Sequence, residues 1–242
     1  MRLRPSLGEE SASGSLFRSH PPFPRGEGGQ GVRSALVKIC GLRDVEAARV
    51  AVEAGADLLG FIFAPSRRRV SVEEARAIVR CLPAGTKTVG VFVNEAPSVI
   101  AEVVEACGLA YVQLAGDEPP EAAEHLPVPA IKAVRPRGPE AARELATYAS
   151  RVELFVLDSY RPGAYGGTGE VGDWALAASL AAEYPCLLAG GLTPESVGTA
   201  VERVRPLGVD VSGGVEVDGV KDPARIYEFV RAAKRGNLEE RH

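Results

Sequence analysis

From residue 35 onward the chain alternates eight times between a short apolar run and a longer Ala-, Glu- and Arg-rich segment. No other feature narrows the possible folds so far. The apolar runs fall at 35–40, 57–63, 87–93, 111–114, 129–134, 154–158, 186–189 and 208–211. They are short, rich in β-branched residues and largely without polar alternation, which is the texture of strands buried on both faces. The segments between them carry helical spacing, as in Val72-Glu-Glu-Ala-Arg-Ala-Ile-Val79 and Pro223-Ala-Arg-Ile-Tyr-Glu-Phe-Val230. Helix starts are signalled by Ser71 ahead of Glu73 and Glu74, Thr193 ahead of Pro194-Glu195, and Asp222 ahead of Pro223. Eight strands, each followed by a helix, within about 200 residues predict an α/β fold with one domain over 35–235, a closed (β/α)8 barrel of the TIM type. The alternative is an open doubly wound sheet. Against it, no GxGxxG follows the first strand, and eight units close naturally.

Composition removes several function classes. The formal net charge is −4, from 28 basic and 32 acidic residues, so no cationic surface dominates. That argues against nucleic acid or an anionic membrane as partner, and no apolar run has the length of a membrane span. Cys40, Cys81, Cys107 and Cys186 are scattered, with no CxxC pair. We therefore expect neither a zinc site nor a disulfide framework, and a reducing cytoplasmic setting. His20, His125 and His242 are the only histidines, which makes a histidine triad or histidine metal site improbable. Acid–base chemistry is left to carboxylates and cysteine. Residues 1–34 are rich in Gly, Pro, Ser and Arg without hydrophobic periodicity. We expect them to be a disordered, non-catalytic tail or a start assigned too early, and 236–242 to be a short C-terminal tail.

In such a barrel the chemistry sits at the carboxyl ends of the strands. Those ends supply Cys40, Arg67 to Arg69, Asn94, Gln113, Asp158, Gly190-Gly191 and Ser212-Gly213-Gly214. The two glycine-rich turns, one strand apart, suit a phosphate cradled on backbone N–H groups, although tight turns alone would also use glycine. Asp158 shares a strand face with Leu154 and Val156, which points it inward as a candidate general acid. Its plainer role is to cap the loop that follows. That loop, Arg161-Pro-Gly-Ala-Tyr-Gly-Gly-Thr-Gly169, has the glycine content of a lid. Lys38 lies on the face of Cys40, and Asp210 on the face of Ser212. Because the first and eighth strands adjoin in a closed barrel, Lys38 and Asp210 should pair, and Lys38 should lower the thiol pKa. A free cysteine is most often an inert buried hydrophobe, so Cys40 gains its interest from this neighbourhood. Of the three arginines, one turned to the mouth would clamp a carboxylate; a solvated face is the alternative.

Together these motifs resemble the phosphoribosylanthranilate isomerases, the aldose–ketose isomerases of tryptophan biosynthesis. The resemblance runs through Lys38-Ile-Cys-Gly-Leu42, Gly60-Phe-Ile-Phe63, Ser66-Arg-Arg-Arg-Val70, Val112-Gln-Leu114, Leu157-Asp-Ser159, Gly166-Gly-Thr-Gly169, Leu188-Ala-Gly-Gly-Leu192 and Val209-Asp-Val-Ser-Gly213. It implies an Amadori rearrangement of a phosphosugar, without metal or cofactor, in a monomer or homodimer. Asp158 would be the general acid and Cys40, as thiolate, the general base. Arg68 would hold a carboxylate, and Gln113, Asp210, Gly167, Gly190, Gly191, Ser212 and Gly213 would bind the rest of the substrate. Three departures stand out. Ala115 takes the place of the family's usual histidine, Gly213 that of a serine, and Gly172 that of an aromatic residue ahead of Asp173-Trp174.

Overall fold

The computed structural model describes residues 34–158 and 173–235. The expected tails, apart from Ser34, and the expected lid at 161–169 lie outside these residues. Eight parallel strands follow one another: β1 (Leu36–Cys40), β2 (Leu58–Ile62), β3 (Thr88–Phe92), β4 (Tyr111–Leu114), β5 (Ala130–Val134), β6 (Leu154–Asp158), β7 (Cys186–Ala189) and β8 (Gly208–Val211). They pair in chain order, and β8 returns to β1 to close the barrel. Every strand lies within one residue of its apolar run. Alternate side chains fill the interior, where Leu58, Val89, Tyr111, Ile131, Leu154, Val156 and Leu187 form one cluster. The opposite faces build a larger cluster against the helices.

The helices are α1 (Val45–Glu53), α2 (Val72–Arg80), α3 (Pro97–Cys107), α4 (Ala141–Tyr148), α5 (Trp174–Glu183), α6 (Val197–Val204) and α7 (Pro223–Arg235). Ser71 starts α2 with a reciprocal cap, its hydroxyl accepting from Glu74 N while Glu74 accepts from Ser71 N. Asp222 caps α7 through Arg225 N at 2.8 Å. Two expectations need correction. The connection after β4 carries a 3-10 helix, Pro120–His125, in place of an α-helix. Pro119, Pro120, Pro127 and Pro129 crowd this connection, removing backbone donors and forbidding a long helical run. Helix α6 begins three residues after the expected start, because Thr193 N donates to Ser196 Oγ and closes a turn first.

This connection, which carries no α-helix of its own, closes over a buried ion pair. Lys132, in the middle of β5, neighbours inward-facing Ile131 and so points outward. Its Nζ donates to Glu118 Oε2 at 2.8 Å and to the Gly116 carbonyl at 2.6 Å. The other Glu118 oxygen accepts from Asn94 N at 2.8 Å, and Tyr148 of α4 donates its hydroxyl to the Glu118 carbonyl at 2.7 Å. The two side chains are 2% and 4% exposed. Removing one member of a pair this dry leaves an uncompensated charge. Lys132→Met should therefore destabilise the barrel by about 3–5 kcal/mol, and adding Glu118→Gln should restore part of it. Urea denaturation midpoints test this. A loss below about 1 kcal/mol, the worth of an exposed pair, would show that the pair holds nothing in place.

Candidate active site

The carboxyl ends of the strands surround a cavity of about 1090 Å³, near the upper end of what small-molecule sites occupy. Cys40, Arg68, Gln113, Asp158, Gly190, Gly191, Asp210, Ser212 and Gly213 all line it. The expected site residues thus converge, except Gly167, which lies outside the described residues. Cys40 ends β1 with only 6% exposure. Its neighbour in the register is Gly60 of β2, where a Cβ would stand 2.9 Å from the Cys40 sulfur. Glycine on that strand is what makes room for the thiol. Gly190 and Gly191 adopt φ of 98° and 66°, the left-handed region that other residues enter at a cost. The turn after β7 therefore presents its backbone to the mouth. After β8, Ser212 donates its hydroxyl to the Cys40 carbonyl at 3.1 Å, tying the two ends of the closed sheet.

Lys38 and Asp210 pair as expected, Nζ to Oδ2 at 3.0 Å, on directly opposed residues of β1 and β8. Burial alone would lower the Lys38 pKa, but Asp210 and the Cys40 sulfur more than offset it and leave it raised. Lys38 lowers the Cys40 pKa as expected, but other influences set the net direction. Burial pushes the Cys40 pKa up, Lys38 and Lys221 pull it down, Asp210 pushes it up again, and the balance is raised. Lys38 does favour the thiolate. Burial, the largest of these influences, outweighs it.

Among the described residues, Asp210 Oδ1 and Gln113 Oε1 are buried without a hydrogen-bond partner, although each side chain borders the cavity. Buried acceptors left open at a cavity wall suit hydroxyl or N–H donors from a ligand. Asp158, at the end of β6, keeps 34% of its side chain exposed, and Arg135 Nε approaches its Oδ2 to 3.7 Å.

Arg68 turns inward with 17% exposure, while Arg67 stays 66% exposed. Both bond to Glu216, a residue the sequence reading missed. Glu216 belongs to a hairpin of β9 (Glu216–Val217) and β10 (Val220–Lys221), turned through Asp218 and Gly219 at φ of 51° and 79°. Lys221, directly across that hairpin, donates to Glu216 Oε1 at 3.0 Å and to the Ser212 carbonyl at 2.9 Å. Burial would raise the Glu216 pKa, but hydrogen bonds from Arg68 and Lys221 overcome it and hold the carboxyl down at about 2. The Asp-Gly step between two valine-containing pairs was the available sequence signal for this hairpin.

Groups that could bind an anion, move a proton and accept from hydroxyls meet at the one end of the sheet where barrels do their chemistry, which makes this chain a (β/α)8-barrel enzyme. A family model described as N-(5'phosphoribosyl)anthranilate (PRA) isomerase matches residues 37–232. The N-(5'-phosphoribosyl)anthranilate isomerase of Moorella thermoacetica is 49% identical over 207 residues, covering 85% of this chain and 92% of that protein. That of Geobacter sulfurreducens is 49% identical over 200 residues, covering 82% and 98%. The phosphoribosyl anthranilate isomerase structure from Thermotoga maritima is similar with a TM-score of 0.76 at 40% identity, covering 83% of this chain and 98% of that one. Another such isomerase, in complex with reduced 1-(o-carboxyphenylamino)-1-deoxyribulose 5-phosphate, gives 0.74 at 38% identity with the same coverage. The chain belongs to the N-(5'-phosphoribosyl)anthranilate isomerase family. Its activity is the family's, an aldose–ketose isomerisation in tryptophan biosynthesis.

Proposed function

We propose that Asp158 and Cys40 are the acid and base of this isomerisation. The substrate is N-(5'-phosphoribosyl)anthranilate and the product 1-(2-carboxyphenylamino)-1-deoxyribulose 5-phosphate. The observation that carries the assignment is the placement of both groups at strand ends on one cavity with the two glycine-rich turns. Asp158 donates its proton to the ribose ring oxygen as the C1–O bond breaks, and the nitrogen lone pair forms a cationic Schiff base. The Cys40 thiolate then takes the proton from C2. The electron pair of that C–H bond neutralises the iminium and gives an enolamine, which tautomerises to the ketone. The cation formed in the first step favours the thiolate beside it, which offsets burial of the thiol when the base is needed.

Arg68 holds the anthranilate carboxylate. Backbone N–H groups at Gly190, Gly191, Ser212 and Gly213 hold the phosphate, with Gly167 contributing from its loop, and Gln113 and Asp210 accept from sugar hydroxyls. Every residue assigned comes from one chain, which suits either a monomer or a homodimer. The described cysteines are free and all but Cys81 are buried, which supports a reducing cytoplasmic location. No helix among the described residues is long and apolar enough to cross a membrane. Purified protein should convert freshly made phosphoribosylanthranilate, followed by loss of the anthranilate-type fluorescence. If the substrate decays only at its spontaneous rate, the proposal fails.

A further inference from the structure

We infer that Glu216 is a positioning residue for carboxylate recognition: it grips one edge of the Arg68 guanidinium and presents the other edge to the cavity. This rests on the proposed carboxylate-binding role of Arg68 and extends it. A guanidinium carries five N–H donors in a rigid fork with two edges, each able to hold a carboxylate. Glu216 takes the edge formed by Nε and Nη2, at 2.5 and 2.8 Å. Nη1 has no partner among the described residues, so the Nη1–Nη2 edge is available to a second carboxylate.

The arrangement has a front and a back. Arg68 lines the cavity and Glu216 does not; the Glu216 side chain is only 5% exposed. Behind it, Arg67 Nη2 and Lys221 Nζ both reach Glu216 at 3.0 Å. Three cations on one carboxylate leave the cluster with surplus positive charge, which an anionic ligand complements. Lys221 also bonds Ser212, whose hydroxyl reaches the Cys40 carbonyl. The hairpin thereby fixes Arg68 relative to the strand end that carries the thiol. The Arg68 stem crosses Gly41, at φ +73°, where a Cβ would come within 2.6 Å of Arg68 Cδ. A long, flexible side chain is thus ordered before the ligand arrives, which lowers the entropic cost of binding.

The competing roles give different results. A residue that only staples the hairpin should affect all ligands alike, and one that competes for Arg68 should tighten carboxylate binding when removed. Titration calorimetry on the full chain uses two probes: reduced 1-(o-carboxyphenylamino)-1-deoxyribulose 5-phosphate, and the same molecule built on aniline, without the carboxylate. Wild type should prefer the carboxylated probe. Glu216→Gln should weaken that probe about tenfold, the worth of one charge-assisted contact, and weaken the aniline probe less than about twofold. Glu216→Asp keeps the charge but shortens the reach, and should fall between, so the proposal stays testable if the glutamine variant does not fold. In turnover, KM for phosphoribosylanthranilate should rise more than kcat falls. Equal weakening of both probes, or tighter binding of the carboxylated one, overturns the inference. Wild type binding neither probe overturns the functional reading along with it.

Discussion

Replacing Cys40 with alanine should lower kcat by about 10²–10⁴-fold, the usual contribution of a positioned acid or base, while the reduced product analogue still binds within about twofold of wild type. The separation follows from where the thiol sits. No described side chain that would contact phosphate or carboxylate depends on the Cys40 sulfur for its position. Ser212 bonds the Cys40 carbonyl, and Arg68 is held by Glu216. Serine at position 40 should be nearly as slow as alanine, since it fits the space that Gly60 leaves but its hydroxyl barely ionises in water. The resting thiol has a second signature. With its pKa raised above the ordinary value near 9, thiolate accumulates only at higher pH than in an exposed cysteine. Alkylation of Cys40 by iodoacetamide, read by peptide mass spectrometry, should therefore accelerate only in the alkaline range. Asp210→Asn should move that onset to lower pH, because it removes a neighbouring carboxylate and leaves Lys38 to the sulfur alone. Rapid alkylation of Cys40 at neutral pH in the unliganded enzyme would contradict this account.

The barrel was legible because its strands are buried on both faces, so each appears as an unbroken apolar run such as Leu187-Leu188-Ala189. Period two then made the Lys38–Asp210 pair readable: closure sets β1 beside β8, and both residues point inward. What could not be read depends on partners far away in sequence. Arg68 and Glu216 lie 148 positions apart. No periodicity says which of Arg67, Arg68 and Arg69 turns inward, because the choice is made by a two-stranded hairpin beyond the barrel. Lys132 is an intermediate case. A lysine in the middle of an apolar run signals a buried partner, and alternation places it outside the barrel, but nothing local selects Glu118. The helix expected after β4 failed for a reason visible in the sequence, the cluster of prolines from Pro119 to Pro129.

Asp158→Asn should be the other severe lesion, again about 10²–10⁴-fold in kcat, and its character differs from that of Cys40→Ala. The amide keeps the size of the carboxyl and can still hydrogen-bond the ring oxygen. It has no acidic proton to transfer, so ring opening stalls while the closed substrate remains bound. The two variants therefore block different halves of one sequence. With Cys40→Ala, substrate that has opened to the Schiff base can return or exchange with solvent. With Asp158→Asn it should not open. Incubating each variant with substrate in the presence of cyanoborohydride separates them: the reductant traps a cationic Schiff base as a secondary amine, so Cys40→Ala should accumulate a trapped adduct and Asp158→Asn should not. Should Asp158→Asn instead trap as much adduct as Cys40→Ala, the ring opens without Asp158, and another group would have to be the acid.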